Sequence, residues 1–231
     1  MKNRLVVLLI ILWILIFVML FWNTSRATED WPDEGTIILS WRNPNLQFFY
    51  GGGSFPLPVT YLENRCDNID RADQHFDVLG ENGCVYTSTP GSGANAQSTL
   101  DSRVSSGTFD HLTVLFNPDR DWETTKNEMD KMDGWIYDFD MYMASALDVL
   151  ATCGRKSCFR NFGMWLKAWK ELLGIYSCHC VSHALYAVGE PDPDTTMPYD
   201  FVQEVRAGDR GSWVVIADYN IVGVELVEEG D

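Results

Sequence analysis

Two cysteines and two histidines crowd the stretch from Tyr176 to Leu185. Ser177 is a good N-cap residue, so the pattern predicts a helix that begins at Cys178 and ends at Gly189. In the first turn of a helix, unpaired backbone N–H groups and the positive end of the dipole favour a thiolate and could stabilise an oxyanion. Cys178 is therefore the candidate nucleophile, although a cysteine at a helix start can also be a buried packing residue or a half-cystine.

A nucleophilic cysteine needs a base that takes its proton and a polar group that orients the base. Among the four histidines, His111 is the candidate base because it opens a predicted strand. His75 falls in a stretch predicted to be irregular, and His179 and His183 are predicted to point away from Cys178 around the helix. The competing interpretation of His111 is a half-buried strand histidine whose ring bonds to the backbone.

The composition indicates one acidic domain of ordinary size. The chain has 231 residues, of which 46% are hydrophobic and 13% aromatic, which is enough to build one core. All 33 acidic residues but only 14 of the 17 basic ones follow Ala27, so the formal charge of that part is −19. This charge argues against a nucleic-acid partner.

Residues 5–22 are an uncharged apolar run that is long enough to cross a bilayer. Lys2 and Arg4 precede the run and acidic residues follow it, which predicts a cytosolic N-terminus. We therefore expect residues 1–27 to be a cytosolic stub with a transmembrane anchor, and residues 28–231 to be a single exoplasmic domain. A cleaved signal peptide is the alternative, since small residues at 25 and 27 could form a cleavage site.

Six cysteines in an exported domain suggest disulfides. Proximity in the chain favours the pairs Cys66–Cys84 and Cys153–Cys158, with Cys84–Cys180 among the alternatives, and at least one thiol is left free. Residues 43–107 are rich in Gly, Pro, Ser and Asn and are predicted to form a long, irregular, disulfide-tied insertion. The remaining order of strands, then helices, then strands predicts an α+β fold.

A series of motifs now resembles a known family. In chain order, the motifs are a strand that starts after Gly35, a His-x-x-Val strand entry at His111, an acidic residue on the next predicted strand, a Leu-Asp-x-Leu helix from Leu147, and Tyr-x-Cys from Tyr176. This order resembles the circularly permuted papain-fold amidases of the NlpC superfamily, in which the histidine precedes the cysteine. Their relatives include lecithin retinol acyltransferase-like enzymes and some viral proteins.

The resemblance implies a papain-like fold with an antiparallel sheet packed on helices, and a cysteine hydrolase or acyltransferase that acts on amide or ester bonds. It assigns Cys178 as nucleophile, His111 as general base and Asp138 as the orienting acid. Asp140 and, in the acyltransferase branch, Glu123 are the alternatives for the acid. The implied substrates are peptides, other amides or lipid esters, and the implied mechanism uses no cofactor and no metal.

Two other interpretations compete with an enzyme of this kind. The Cys178-His179-Cys180-x-x-His183 motif is rich in metal ligands, but a single helix can direct only about three of them to one ion. Alternatively, the domain is a catalytically inactive exoplasmic or viral-envelope protein that binds a partner through residues 43–107. The sequence contains no phosphate-binding Gly-rich loop and no serine-hydrolase elbow.

Overall fold

A computed structural model of the chain describes residues 31–32, 34–42, 47–50, 53–56, 73–141, 143–144, 158–194, 196 and 198–229. The chain divides into two compact units, Met1–Asp33 and Glu34–Asp231. The predicted membrane segment 5–22, the predicted half-cystines Cys66 and Cys153, and the Leu-Asp-x-Leu motif from Leu147 lie outside the described residues. Within the described ranges, no helix combines the length and apolar character that crossing a bilayer needs.

The second unit is built on a seven-stranded antiparallel sheet. In chain order, the strands are β1 (Thr36–Arg42), β2 (Gln47–Tyr50), β3 (Gly53–Pro56), β4 (Asp73–Leu79), β5 (Cys84–Thr89), β6 (Gly93–Thr99), β7 (His111–Asn117), β8 (Ile136–Tyr137), β9 (Ser177–Cys178), β10 (Val214–Val222) and β11 (Glu225–Glu228). The sheet order is β11-β10-β7-β1-β4-β5-β6, while β2 pairs with β3 and β8 pairs in parallel with β9.

Helices pack on this sheet and make the fold α+β. They are α1 (Leu100–Ser105), α2 (Trp122–Lys131), α3 (Cys158–Leu172), α4 (Cys180–Ala187) and α5 (Pro198–Ala207). One hydrophobic core joins the sheet to α2, α4 and α5, and its members include Ile38, Phe76, Val78, Leu115, Met129, Val181, Leu185, Phe201 and Val202. The α4 helix, which follows the candidate cysteine region, packs against β4 and β5 of the sheet.

The strongly patterned segments fold as predicted. The strand after Gly35 is β1, which is buried along six of its seven residues because it lies at the centre of the sheet. The strand that opens at His111 is β7. The last two strands, β10 and β11, form a hairpin whose turn lies at Gly223 and Val224. Gly174 and Gly189 follow α3 and α4 with φ of +74° and +69°, the left-handed conformation that glycine adopts readily after a helix.

The prediction that residues 43–107 are an irregular insertion is wrong for residues 73–105. They form β4, β5, β6 and α1, and β4 pairs with the central strand β1. The sequence of β6, Gly-Ala-Asn-Ala-Gln-Ser-Thr, has little intrinsic strand preference, so its pairing with β5 decides its conformation. Cys84 and Cys180 both carry free thiols, so the predicted Cys66–Cys84 disulfide and the alternative Cys84–Cys180 disulfide are both wrong.

The predicted strand after His111, which was expected to carry the orienting acid, is limited to the two residues of β8. The strand ends there because the Asp138 carboxylate accepts the backbone N–H of Met141 at 3.2 Å, as an N-cap residue does at the start of a helical turn. Trp135, the residue before β8, lies close to Gly93. A Cβ added at Gly93 would collide with the Trp135 carbonyl oxygen. This close approach lets Ala94 donate its N–H to that oxygen at 2.9 Å, which ties β6 to the segment beside β9.

Candidate active site

The helix of the candidate cysteine region begins two residues later than predicted. Its N-cap is His179, whose Nδ1 accepts the Ser182 N–H at 3.3 Å, while the Ser182 hydroxyl oxygen accepts the His179 N–H at 2.9 Å. Ser177 and Cys178 are held in extended conformation because β9 pairs with β8. The first residue of the helix is therefore Cys180, and the prediction that Cys178 opens the helix is wrong.

Cys178 serves as an anchor in the core. Its carbonyl oxygen accepts the Ser88 hydroxyl at 2.8 Å and the Asp138 N–H at 3.0 Å. Its side chain is completely buried, and this burial raises the pKa of the thiol to about 12. A thiol of this kind is protonated and shielded from substrate at neutral pH, so the prediction of a reactive, low-pKa Cys178 is wrong.

Cys180 has the properties that were expected of Cys178. It occupies the first turn of α4 and is partly exposed. Burial opposes its ionisation, but the positive charge of His75 and hydrogen bonds with His179 and His75 outweigh that effect and lower the pKa of the Cys180 thiol to about 5. The thiolate is therefore the dominant form at neutral pH.

His75 on β4 is the histidine that serves this thiolate. Burial of the ring opposes its charge, but the negative charges of Cys180 and Asp77 and hydrogen bonds with both raise the pKa of His75 to about 9. The His75 Nε2 lies 2.8 Å from Asp77 Oδ1, which leaves Nδ1 as the ring nitrogen available to the thiol. One-fifth of the His75 side chain is exposed while Asp77 is completely buried, an order suited to a base and the group that orients it.

A second set of contacts fixes Asp77. The Arg103 side chain on α1 reaches it with Nη2 3.1 Å from Oδ1 and Nε 3.0 Å from Oδ2. Burial would favour the protonated acid, but His75, Arg103 and the Thr87 hydroxyl keep the pKa of Asp77 below its ordinary value. The Phe109 ring packs against the imidazole with its centroid 5.8 Å away. Asp77 is thus a stable anion that can hold the His75 ring in one orientation.

The other predicted site residues lie elsewhere. His111 Nε2 is 3.3 Å from both Thr113 Oγ1 and Asp218 Oδ1, and its Nδ1 is 3.6 Å from a carboxylate oxygen of Glu229. Asp138 accepts hydrogen bonds from Ser177 at 3.0 Å and from Lys170 at 3.2 Å. Its carboxylate is therefore satisfied by groups other than His111, and the predicted hydrogen bond between these two side chains is not formed.

Asp138 and Cys178 lie next to each other, but they meet through the backbone: the Asp138 N–H donates to the Cys178 carbonyl oxygen. The contacts of Asp138 hold the strand that leads into α4, which is a positioning role for the stretch before Cys180. Of the alternative acids, Asp140 pairs with Lys170 at 2.8 Å, and Glu123 lies exposed in the first turn of α2.

The histidines of α4 do not form a metal site. His183 Nε2 lies 2.9 Å from Asn95 Oδ1, and burial lowers the pKa of His183 to about 4, so the ring is neutral. His179 caps the helix through Nδ1. Across the residues that the structure describes, no three or more His, Cys, Asp or Glu side chains are grouped so that they could hold a metal ion.

His179 offers a prediction that separates capping from thiolate stabilisation. Because its Nδ1 accepts a backbone N–H, Nε2 is the ring nitrogen left to donate a hydrogen bond to the Cys180 thiolate. We expect His179→Ser to keep the cap and the melting temperature, but to slow alkylation of Cys180 by iodoacetamide at pH 5.5 by about threefold to tenfold.

His179→Ala is the matched variant, since it removes both the cap and the donor. It should slow alkylation as much as serine does and should also lower the free energy of unfolding by about 1 kcal/mol. Alkylation of His179→Ser at the wild-type rate would show that the imidazole acts only as a cap.

Comparisons with known proteins gave no relative for this chain: no family model matches it, and neither the curated proteins nor the solved structures contain a match.

Proposed function

We propose that the protein is a thiol-dependent hydrolase or acyltransferase that acts on amide or ester bonds, with Cys180 as nucleophile, His75 as general base and acid, and Asp77 as the orienting residue. The observation that carries this proposal is the pairing of the Cys180 thiol with the His75 ring at the start of a helix, with a buried carboxylate behind the ring. An inert, structural cysteine has no need of such a partner.

The proposed reaction follows from these positions. The Cys180 thiolate attacks the carbonyl carbon of the substrate, and the negative charge moves to the carbonyl oxygen. Ser182 donates its N–H to His179, which leaves the first-turn N–H groups of Cys180 and Val181 as candidate donors to that oxygen. The His75 imidazolium then gives its proton to the leaving amine or alcohol, and an acyl thioester remains on Cys180.

The second half of the reaction uses the neutral His75 ring that the first half leaves. The ring takes a proton from water, or from an acceptor alcohol or amine, as that group attacks the thioester carbonyl. The Cys180 thiolate departs and the His75–Cys180 ion pair is restored. Asp77 keeps its charge throughout and stabilises the imidazolium, so its contribution is orientation and electrostatics.

We further propose that the fold is a permuted papain-like fold of the NlpC type. Support comes from the order of the site residues, with the histidine before the cysteine, and from a helix-start cysteine packed on an antiparallel sheet. The roles fall on different residues from those that the resemblance indicated, because His75 and Cys180 replace His111 and Cys178. An exoplasmic domain anchored through residues 5–22 remains part of this proposal.

A chromogenic ester tests the reaction directly. With p-nitrophenyl acetate, we expect a burst of p-nitrophenol close to one equivalent of protein, followed by slower turnover. Mass spectrometry of rapidly acidified samples should locate the acetyl group on the peptide that contains Cys180. Absence of the burst, or acetyl groups only on lysines and on Cys84, would favour the alternative of an inactive binding protein with this fold.

A further inference from the structure

His183 on α4 is a buried polar side chain that the proposed reaction does not use. Its imidazole ring is completely buried, and Nε2 lies 2.9 Å from Oδ1 of Asn95 on β6. His183 comes three residues after Cys180, so the two side chains are neighbours on the surface of the helix. Burying an imidazole away from water costs free energy, so its position beside the candidate nucleophile indicates a role.

The direction of the hydrogen bond between His183 and Asn95 follows from the other contact of the amide. Asn95 Nδ2 donates to the Met129 carbonyl oxygen at 2.8 Å, so Oδ1 is the amide atom that faces the ring. A carbonyl oxygen only accepts, so Nε2 carries the proton of the His183 ring and is the donor. The Asn95 backbone nitrogen is also 3.4 Å from Nε2, but a protonated Nε2 has no lone pair left to accept its N–H. Burial lowers the pKa of His183 to about 4, so the contact is an uncharged hydrogen bond.

The backbone around Asn95 is bent in a way that serves this contact. Between its pairs at Gly93 and Ala96, β6 advances by three residues while β5 advances by two, so β6 contains one extra residue, as in a β-bulge. Asn95 lies in this interval with φ of +56°, a left-handed conformation that asparagine adopts more readily than most other residues. A bulge redirects the side chains of its strand, and here the Asn95 amide reaches both α2 and α4.

Asn95 and His75 are carried by strands on opposite sides of β5. The strands β4, β5 and β6 are neighbours in that order, and α4 packs against β4 and β5. Cys180 contacts His75, which belongs to β4, while His183 contacts Asn95, which belongs to β6. The N-terminal half of α4 is thus held to the sheet at two points, one on each side of β5. Two such points fix the rotation of the helix about its axis, which decides where the Cys180 thiol lies relative to the His75 ring.

The neutrality of His183 matters because the ion pair of the candidate site is close by. Burial is the largest cause of the lowered pKa of His183; the negative charge of Asp77 opposes this effect and the positive charge of His75 adds to it. Interactions between charges are mutual, so a positive charge on His183 would destabilise the His75 imidazolium. A hydrogen bond to an uncharged amide anchors α4 without adding such a charge.

We propose that Asn95 and His183 form a positioning pair that holds the Cys180 thiolate against the His75 imidazolium. This role rests on the proposed function, since it acts through the two residues assigned there as nucleophile and base. The positioning pair acts through the placement of α4 and takes no part in the chemical steps. If His183 only filled space in the core, a neutral polar residue of similar size would leave the Cys180 thiolate unchanged.

Two amide substitutions at position 183 test the proposal, because they differ only in reach. The side-chain nitrogen of glutamine can take the place of Nε2 of histidine, whereas that of asparagine is one bond shorter and matches Nδ1. We expect His183→Gln to keep the midpoint of the pH profile for alkylation of Cys180 by iodoacetamide near pH 5. His183→Asn should move this midpoint upward by at least one pH unit, which slows alkylation at pH 5 at least about fivefold.

Asn95→Gly tests the other residue of the positioning pair. Glycine readily adopts the left-handed backbone conformation found at this position, so the variant removes only the amide side chain. The alkylation midpoint of Asn95→Gly should rise by about as much as that of His183→Asn. The double variant N95G/H183N should show no larger rise, because all three variants lack the same hydrogen bond.

Thr36→Val is the control for a loss of stability alone. The Thr36 hydroxyl is buried and donates to the Arg120 carbonyl oxygen at 2.9 Å, at the far end of β1 from Trp41, which is paired with His75. We expect this variant to melt at a lower temperature with its alkylation midpoint unchanged. A midpoint near pH 5 in His183→Asn, or an equal rise in His183→Gln and His183→Asn, would overturn the positioning role.

The ester burst keeps this result separate from the proposed function, because alkylation reports the thiolate without any substrate. A raised midpoint in His183→Asn, in a protein whose wild type gives no burst with p-nitrophenyl acetate, would support the positioning pair and reject the hydrolase or acyltransferase. A burst in the wild type, together with an unchanged midpoint in His183→Asn, would reject the positioning pair and support the enzyme.

Discussion

Cys180→Ala is expected to abolish acyl-enzyme formation and to reduce ester hydrolysis at least about 1,000-fold, whereas Cys178→Ala should keep most of the activity. The two cysteines lie two residues apart, but their environments are opposite. The pKa of the Cys180 thiol is lowered to about 5 by a neighbouring histidine that outweighs its burial, while burial raises that of Cys178 to about 12. Of these two cysteines, only Cys180 combines the thiolate form with access to substrate.

The matched pair of variants distinguishes chemistry from folding. Cys178→Ala leaves a small cavity in the core and should lower the free energy of unfolding by about 1 kcal/mol, with little effect on the burst. Cys180→Ala should stay folded because the side chain is partly exposed, with a lower unfolding temperature because the ion pair with His75 is lost. Burst amplitude and thermal unfolding are measured on the same preparations. Loss of the burst in Cys178→Ala, with retention of the burst in Cys180→Ala, would show that Cys178 is the nucleophile, as the sequence predicted.

The sequence predicts the frame of the fold better than its site. Strands such as β1 and β7 have long apolar runs that form the centre of the sheet, and such runs can be recognised from the sequence alone. The strands β5 and β6 are polar and gain stability only by extending that sheet, so local preference could not reveal them. The prediction that the residues of β4 belong to an irregular insertion had the largest consequence, because β4 carries His75.

A usable signal for His75 was nevertheless present. The His-x-x-Val pattern that drew attention to His111 occurs equally at His75–Val78. In β4 the pattern also contains Asp77, and residues two apart on a strand face the same side. A histidine and a carboxylate on one strand face form the base and orienting group without any need for a second strand. That spacing would have favoured His75 over His111.

The choice between Cys178 and Cys180 depended on structure that lies far apart in the chain. Ser177 is a better intrinsic N-cap than His179, so propensity places the helix start at Cys178. The actual start is delayed because Ser177 and Cys178 pair with β8, which comes 41 residues earlier in the chain. Ser88, from β5, supplies another hydrogen bond to the Cys178 carbonyl. Neither tertiary contact leaves a local pattern near the cysteines.

The second large effect is expected from His75→Ala, which removes the partner of the Cys180 thiolate. Without the positive charge and hydrogen bond of His75, the pKa of the thiol should return to about 8.5 or above. At pH 6.5 the thiolate fraction then falls from nearly all molecules to about 1%, so alkylation by iodoacetamide should slow roughly 100-fold. Ester hydrolysis should fall further, because the leaving group also loses its proton donor.

The pH dependence of the wild type follows from the same two shifts. The pKa of Cys180 is lowered to about 5, so alkylation should rise as the pH increases through that value. The pKa of His75 is raised to about 9, so turnover, which needs the imidazolium, should fall as the pH increases through that value. The bell-shaped profile reports the two groups as a coupled pair. His75→Ala should move the acid limb of the alkylation profile upward by about 3.5 pH units or more.

His111→Ala is the control that makes this result specific. His111 contacts Thr113 and Asp218 on the β7–β10 part of the sheet, so its loss can reduce stability without changing the environment of Cys180. We therefore expect His111→Ala to keep the acid limb near pH 5. An unchanged limb in His75→Ala, or a shifted limb in His111→Ala, would show that His75 is not the partner of the thiolate. Because alkylation measures the thiolate itself, this outcome does not depend on knowing the substrate.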